Sequence, residues 1–151
     1  MSITVQKATI YDLETLYEIE RECFTVEAFS KQHIAHLLED QASISLIART
    51  KSEIAGFIIG LIHHHDKMIR GHIYTIDVAV KHRRRGVGLK LLRKLERIFL
   101  DSGVKTCYLE TRIDNVAARE LYQKQGYVEF EKLEHFYRGV NGIRLQKELG
   151  T

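Results

Sequence analysis

Between residues 71 and 111 the residue types run as a strand, a basic glycine turn, a long amphipathic helix and a second strand, and that order leaves few architectures open. Residues 71–80 are rich in β-branched side chains. Residues 86–102 place Leu91, Leu92, Leu95, Ile98 and Phe99 on one helical face, and Gly103 follows as a stop. Residues 106–111 return to strand character. Two strands joined through a helix imply at least one parallel pair.

The flanking segments add strands and helices in alternation. Residues 3–8 alternate as a short strand, and Leu13, Leu16, Tyr17 and Ile19 begin a helix that reaches about Cys23. Ser30 is placed to cap a second helix whose face holds Ile34, Leu37 and Leu38. Residues 44–49 and 54–63 read as a hairpin across Lys51-Ser52-Glu53, residues 115–125 as a helix that Gly126 ends, and residues 128–133 and 143–149 as closing strands. No linker or repeat interrupts the 151 residues, so the expectation is one α/β domain over 1–151. The 44% apolar and 28% charged fractions exclude disorder, collagen-like repeats and coiled coil. No apolar run approaches the roughly 20 residues of a membrane span, and Lys7, Asp12 and Glu14 interrupt any signal-peptide pattern. Only Cys23 and Cys107 are present, without CxxC spacing, so a reducing cytoplasm is the expected compartment and buried, inert thiols the expected state.

The net charge of +3 conceals two opposed regions. Residues 81–97 carry eight Lys or Arg against the single acid Glu96, whereas the first forty residues carry eight acids against Lys7, Arg21 and Lys31. The basic region contains Arg83-Arg84-Arg85-Gly86-Val87-Gly88 where the long helix begins. The first N–H groups of a helix lack partners and its N-terminus is positive, so such a turn suits an anion. The pattern is neither G-x-G-x-x-G nor a P-loop, which argues against a nicotinamide or nucleoside triphosphate. A tight turn with a solvated basic face remains the plain alternative.

The R-x-x-G-x-G turn after Ile76-Asp77-Val78-Ala79-Val80 resembles the acetyl-coenzyme A motif of the GNAT acetyltransferase superfamily. A second block, Leu109-Glu110-Thr111-Arg112 followed by Asn115, Ala117, Ala118, Leu121-Tyr122 and Gly126-Tyr127, resembles the protein N-terminal acetyltransferases of the RimI and archaeal types. The resemblance implies a GNAT fold, a mixed and largely antiparallel sheet of six to seven strands flanked by about four helices. It implies acetyl-CoA as cosubstrate, with its pantetheine amides on the backbone of Ile76, Asp77, Val78, Ala79 and Val80. Its pyrophosphate falls to Arg83, Arg84, Arg85, Gly86, Val87, Gly88 and Leu89. Asn115 and Tyr122 are implied to reach the cofactor too, though Asn115 is equally suited to capping its helix.

For the reaction, the resemblance implies Glu110 as base and Tyr122 as acid. The plain alternatives are a salt bridge from Glu110 to Arg112 or another cation, and a buried tyrosine with a satisfied hydroxyl. The implied acceptor is the N-terminal amine of a protein or peptide, a ribosomal protein being one candidate. At pH 7 deprotonating an α-amine costs about 1.0–1.4 kcal/mol against ~4.6 for lysine, which favours the α-amine. The acidic first forty residues would favour a positively charged peptide end. Phe29, His72, Tyr74 and Tyr137 are the candidate acceptor contacts, with His72 and Tyr74 on one face of their strand unless a bulge intervenes. The segments 24–29 and 139–142 depart from the family's usual residues at that groove. The rivals are a small-amine or lysine acetyltransferase and a nucleic-acid module using residues 81–97; the latter lacks interleaved aromatics and leaves the glycines unexplained. His63-His64-His65 is expected in an exposed hairpin loop with no metal, since consecutive side chains diverge.

Overall fold

The sheet is assembled in seven strands: β1 (Thr4–Lys7), β2 (Ser43–Arg49), β3 (Ile54–His65), β4 (Met68–Val78), β5 (Thr106–Arg112), β6 (Val128–Tyr137) and β7 (Val140–Glu148). Four helices, α1 (Leu13–Cys23), α2 (Lys31–Glu39), α3 (Val87–Asp101) and α4 (Val116–Lys124), flank it. A computed structural model describes residues 2–24 and 27–150; Thr25 and Val26 of the 24–29 segment lie outside the described residues. The strand order is β1-β2-β3-β4-β5-β7-β6, and every neighbouring pair is antiparallel except β4–β5, which the α3 crossover makes parallel. This is the mixed, largely antiparallel α/β architecture expected.

Two apolar layers hold the helices to the sheet. On one face Leu91, Leu92, Leu95 and Phe99 of α3 pack against Ile58, Ile73, Leu109 and Leu145. On the other, Leu16 and Ile19 of α1 and Ile34 and Leu37 of α2 meet Ile47, Phe57, Ile59 and Leu61. Each such side chain, fully removed from water, contributes about 1.5–3 kcal/mol. Ser30 caps α2 as its sequence suggests, its Oγ accepting the His33 N–H at 3.1 Å. No helix among the described residues is long and apolar enough to cross a membrane.

Several boundaries differ from the expectation. The strand read as 71–80 begins at Met68 and ends at Val78, with a short 3-10 turn at Val80–His82 behind it. His63 to His65 belong to the end of β3, not to a loop; only Asp66 and Lys67 turn the chain, Asp66 at φ 55°. No three His, Cys, Asp or Glu among the described residues are grouped to hold a metal ion. The closing strands run on to a tight hairpin, where Arg138 and Gly139 both adopt positive φ, the conformation a two-residue turn between twisted strands requires.

The α3 layer leaves no room at Gly71, where an added Cβ would lie 2.7 Å from the buried Phe99 ring. Gly71→Ala is expected to cost about 1–3 kcal/mol through overpacking. Chemical denaturation that found the variant as stable as the parent would show that Phe99 can move aside.

Candidate active site

β4 and β5 pair only from Arg70↔Thr106 to Ile73↔Leu109. Past that point β4 continues on β3 alone and β5 on β7 alone, so the two strands part. A cleft of about 370 Å³ opens between them. Its walls include Phe29, His72, Tyr74, Ile76, Glu110, Asn115, Tyr122 and Tyr137, which joins eight of the expected site residues in one place.

A bulge in β4 decides which side chains face it. Ile59 of β3 opposes Thr75 but Gly60 opposes Ile73, leaving Tyr74 as the extra residue. Ile73, Ile76 and Val78 therefore pack with the α3 layer, while Tyr74 packs with the α1–α2 layer and Thr75 bonds Glu20 of α1. His72 and Tyr74 share a face as expected, their rings 4.4 Å apart; the bulge at Tyr74 shifts the alternation only from Thr75 onward.

Glu110 stands near the end of β5 with both carboxylate oxygens engaged. Oε1 lies 2.7 Å from His72 Nε2, and Oε2 accepts from Arg144 Nε at 2.8 Å. Burial pushes its pKa up, but the His72 and Arg144 hydrogen bonds and charges outweigh that and hold it below the usual carboxylate range. The cation beside Glu110 is Arg144 of β7, not Arg112, which forms a two-point pair with Asp114 at 3.0 Å and reaches Glu27 at 3.6 Å. His72, expected only to touch the acceptor, is thus a direct partner of Glu110.

Tyr122 projects from α4 into the same cleft. It is buried, its ring meets Tyr127 edge-on at 5.8 Å, and its hydroxyl makes no hydrogen bond among the described residues. Burial above all, then the charges of Asp77 and Tyr137, pushes its pKa upward, so it stays a neutral phenol. Burial likewise raises Tyr137, with Glu110 and Glu27 adding to the effect.

The turn leading into α3 enters the left-handed region twice. Gly86 is the N-cap at φ 77°, and no side chain caps the helix. Arg84 also has positive φ, at 65°. Arg83 folds back, its guanidinium donating to the Val78 carbonyl at 3.1 Å and meeting Cys23 Sγ at 3.4 Å, and Lys90 donates to the Ile3 carbonyl at 2.8 Å. Both positive groups are engaged by the protein itself.

Two backbone assignments need correction. The Ala79 N–H donates to Ala55 O at 2.8 Å, and the Val80 N–H to Glu22 Oε1 at 2.5 Å, so neither amide is available to a cofactor. The chain turns away after Val78 and Glu22 of α1 takes the first N–H it exposes. Asn115 does cap α4, its Oδ1 accepting from Ala118 N at 3.1 Å, while it also lines the cleft.

A family model described as the acetyltransferase (GNAT) family matches residues 13–127, which span both walls of the cleft and the glycine turn. The chain belongs to the GNAT family. It is 30% identical over 122 residues to the N-alpha-acetyltransferase 30 of Xenopus laevis, covering 80% of this chain and 45% of that protein. It is 27% identical over 142 residues to the N-alpha-acetyltransferase of Sulfolobus acidocaldarius, covering 88% of this chain and 84% of the relative. The chain thus spans less than half the length of the first of these relatives. Its fold matches the crystal structure of the ribosomal-protein-S18-alanine N-acetyltransferase from Escherichia coli with a TM-score of 0.88 and 21% identity, over 99% of this chain and 96% of that one.

One feature of this family member escaped the sequence reading. Glu20 of α1 and Asp77 of β4 are each only 1% exposed, and one hydroxyl, that of Thr75, lies 3.2 Å from Glu20 Oε1 and 2.5 Å from Asp77 Oδ1. A hydroxyl has one proton, so two carboxylates cannot both be served by it. Burial first, then the nearby Glu20 carboxyl, pushes the Asp77 pKa well above its ordinary value, against smaller opposing effects from Thr75 and Arg83. Glu20 Oε2 also accepts the Phe29 N–H at 3.0 Å, tying the segment before α2 to the cleft. Glu20 keeps helical spacing with Leu16, but a buried acid cannot be told from a solvated one by spacing alone.

Folding therefore favours protonated Asp77, and stability is lost as pH rises from its unfolded value near 3.8 through the raised folded one. Asp77→Asn keeps the shape without the ionisation. The melting-temperature difference between Asp77→Asn and the parent is expected to move in favour of the variant between pH 5 and pH 8. A pH-independent difference would show that Asp77 keeps an ordinary pKa.

Proposed function

We propose that the chain transfers the acetyl group of acetyl-CoA to the N-terminal α-amine of a protein or peptide. The observation that carries this reading is the parting of β4 and β5, which puts an ionised carboxylate, Glu110, and a neutral phenol, Tyr122, on the walls of one cleft beside an uncapped helix N-terminus. The relatives named N-alpha-acetyltransferase support the α-amine as acceptor. The E. coli neighbour's substrate makes a ribosomal protein one candidate partner. We assign this activity to one catalytic domain over 1–151, in a reducing compartment consistent with two free cysteines.

The residues fit acetyl-CoA. Gly88 lies in the first turn of α3, where glycine costs stability relative to alanine, yet an added Cβ would meet only Val78 and Ile76 at 3.5 and 3.9 Å. Packing within the chain does not require glycine there; a ligand drawn close to the helix N-terminus would. The N–H groups of Val87, Gly88 and Leu89 would hold its pyrophosphate, with Arg84 and Arg85 near. The unpaired edge of β4 up to Val78, together with Asn115, would hold its amide-bearing arm. When bound, the cosubstrate supplies a thioester carbonyl and a thiol leaving group.

The chain's own groups move the protons. The ammonium of the acceptor must become an amine before its nitrogen can bond to carbon, and Glu110 with His72 accepts that proton, directly or through one water. Because Glu110 is held ionised, it is ready to accept at neutral pH. Tyr122, still protonated, donates to the sulfur as the carbon–nitrogen bond forms and the carbon–sulfur bond breaks. The second proton shed by the nitrogen restores the phenol, so that one proton, on Glu110, is left to pass to solvent. Phe29, Tyr74 and Tyr137 line the acceptor side, where apolar rings exclude water and strengthen the charges within the cleft.

Glu110→Gln is expected to lower the transfer rate about 100-fold while acetyl-CoA binding, measured by calorimetry, changes little. Turnover like that of the parent would remove Glu110 as base. Gly88→Glu is expected to weaken acetyl-CoA binding at least tenfold with no loss of melting temperature, because an acid suits a helix N-terminus in the absence of an anionic ligand. Unchanged binding would remove the phosphate assignment. Mass spectrometry of peptides with free α-amines and blocked lysines, and the reverse, tests the acceptor: acetylation confined to lysine would overturn the α-amine reading.

A further inference from the structure

We propose that Arg70 and Tyr108 form a subsite for an acidic side chain of the acceptor polypeptide, at about its third residue. The proposal rests on the reading of an N-terminal acceptor and deepens it to a preference for acidic sequences. Arg70 and Tyr108 stand on β4 and β5 within the paired part of the two strands, just outside the cleft. The Tyr108 ring stacks on His72 at 4.4 Å with an interplanar angle of 10°, and His72 bonds Glu110. The Arg70 guanidinium lies over that same Tyr108 ring, 4.9 Å from its centroid. A continuous surface of rings and cation thus leads outward from the reacting carboxylate.

Charge singles out Arg70 on this surface. Its Nε is buried without a hydrogen-bond partner, and the guanidinium has no ion pair among the described residues. Arg144, whose guanidinium lies 5.9 Å from the centroid of the same Tyr108 ring, is spent on Glu110 and Glu131 at 2.8 and 2.6 Å. His63, whose ring is 6.0 Å from His72, has its pKa lowered by burial and by the charge of His72, with Asp40 opposing. A half-buried guanidinium that keeps its planar fork unoccupied matches a carboxylate, and stacking on Tyr108 holds the fork in place. Glu20 and Glu22 of α1 meet the chain beyond His72, at Thr75 of β4 and at Val80, and favour a positive amine there; the Arg70 patch, before His72 on the same strand, selects the opposite charge further down the acceptor.

Spacing sets the position. Two residues of strand separate Arg70 from His72, about 7 Å, and an extended acceptor covers that distance in two residues beyond the amine. The experiment uses peptides that differ only in carrying Glu or Gln at the second, third, fourth or fifth residue, with kcat/KM measured by acetyl incorporation. The parent protein is expected to prefer Glu over Gln about tenfold at the third residue, mainly through KM. Arg70→Gln is expected to bring that ratio to one, and Arg70→Glu to invert it. Taking the ratio within each variant cancels any loss of folded protein, so a merely structural role leaves it unmoved. Equal Glu-to-Gln ratios in the parent and in Arg70→Gln would overturn the subsite while leaving the function standing. No transfer to any peptide would overturn the reading of function and the subsite with it.

Discussion

The early end of the β4–β5 ladder is the constraint on which the site depends. A parallel pair continued to Val78 and Arg112 would satisfy every backbone group and close the sheet, at the loss of the cleft. Instead the strands separate after Ile73 and Leu109, each held straight by its antiparallel neighbour on the other side. The parting is stable because α3 is locked below it by Leu91, Leu92, Leu95 and Phe99, and α1 with α2 covers the opposite face. Unpaired strand edges are costly in a dry interior and useful where a ligand with its own amides can complete them.

Three acids around this opening show how environment divides one chemistry into different roles. Glu110 is half-surrounded by positive and hydrogen-bonding groups, His72 and Arg144, and is kept charged. Asp77 and Glu20, almost wholly buried around one hydroxyl, share an apolar site that disfavours charge on Asp77. The first arrangement suits proton acceptance. The second ties α1 and the Phe29 segment to the bulged strand, so the Phe29 wall of the cleft is attached through the α1 carboxylate to β4.

The elements of the fold were legible in the chain because each carries a local signal. Ser30 before an apolar-periodic run predicts a capped helix, and the cap bond is present. The apolar stripe from Leu91 to Phe99 predicts the face that α3 buries. Glu110, Tyr122 and Asn115 could be singled out because their motif has a fixed spacing, and all three line the cleft. Boundaries were less legible: β4 stops two residues short of Val80 because Glu22, fifty-eight residues away in the chain, takes the Val80 N–H. The partner of Glu110 could not be read either, since Arg112 is its near neighbour in sequence while Arg144 is its neighbour across the β5–β7 ladder.

Periodicity, glycine placement and charge distribution belong to the linear chain, and they suffice to order the helices and strands, to put a basic turn at the start of α3, and to nominate a carboxylate and a phenol. Those quantities depend on neighbours three or four residues away. The bulge at Tyr74, the raised pKa of Asp77, the ionised state of Glu110 and the guanidinium of Arg70 without an ion pair among the described residues came only with packing. Each depends on groups that the sheet brings together from distant parts of the chain, and the energy of a charge is set by those groups and by the water they exclude.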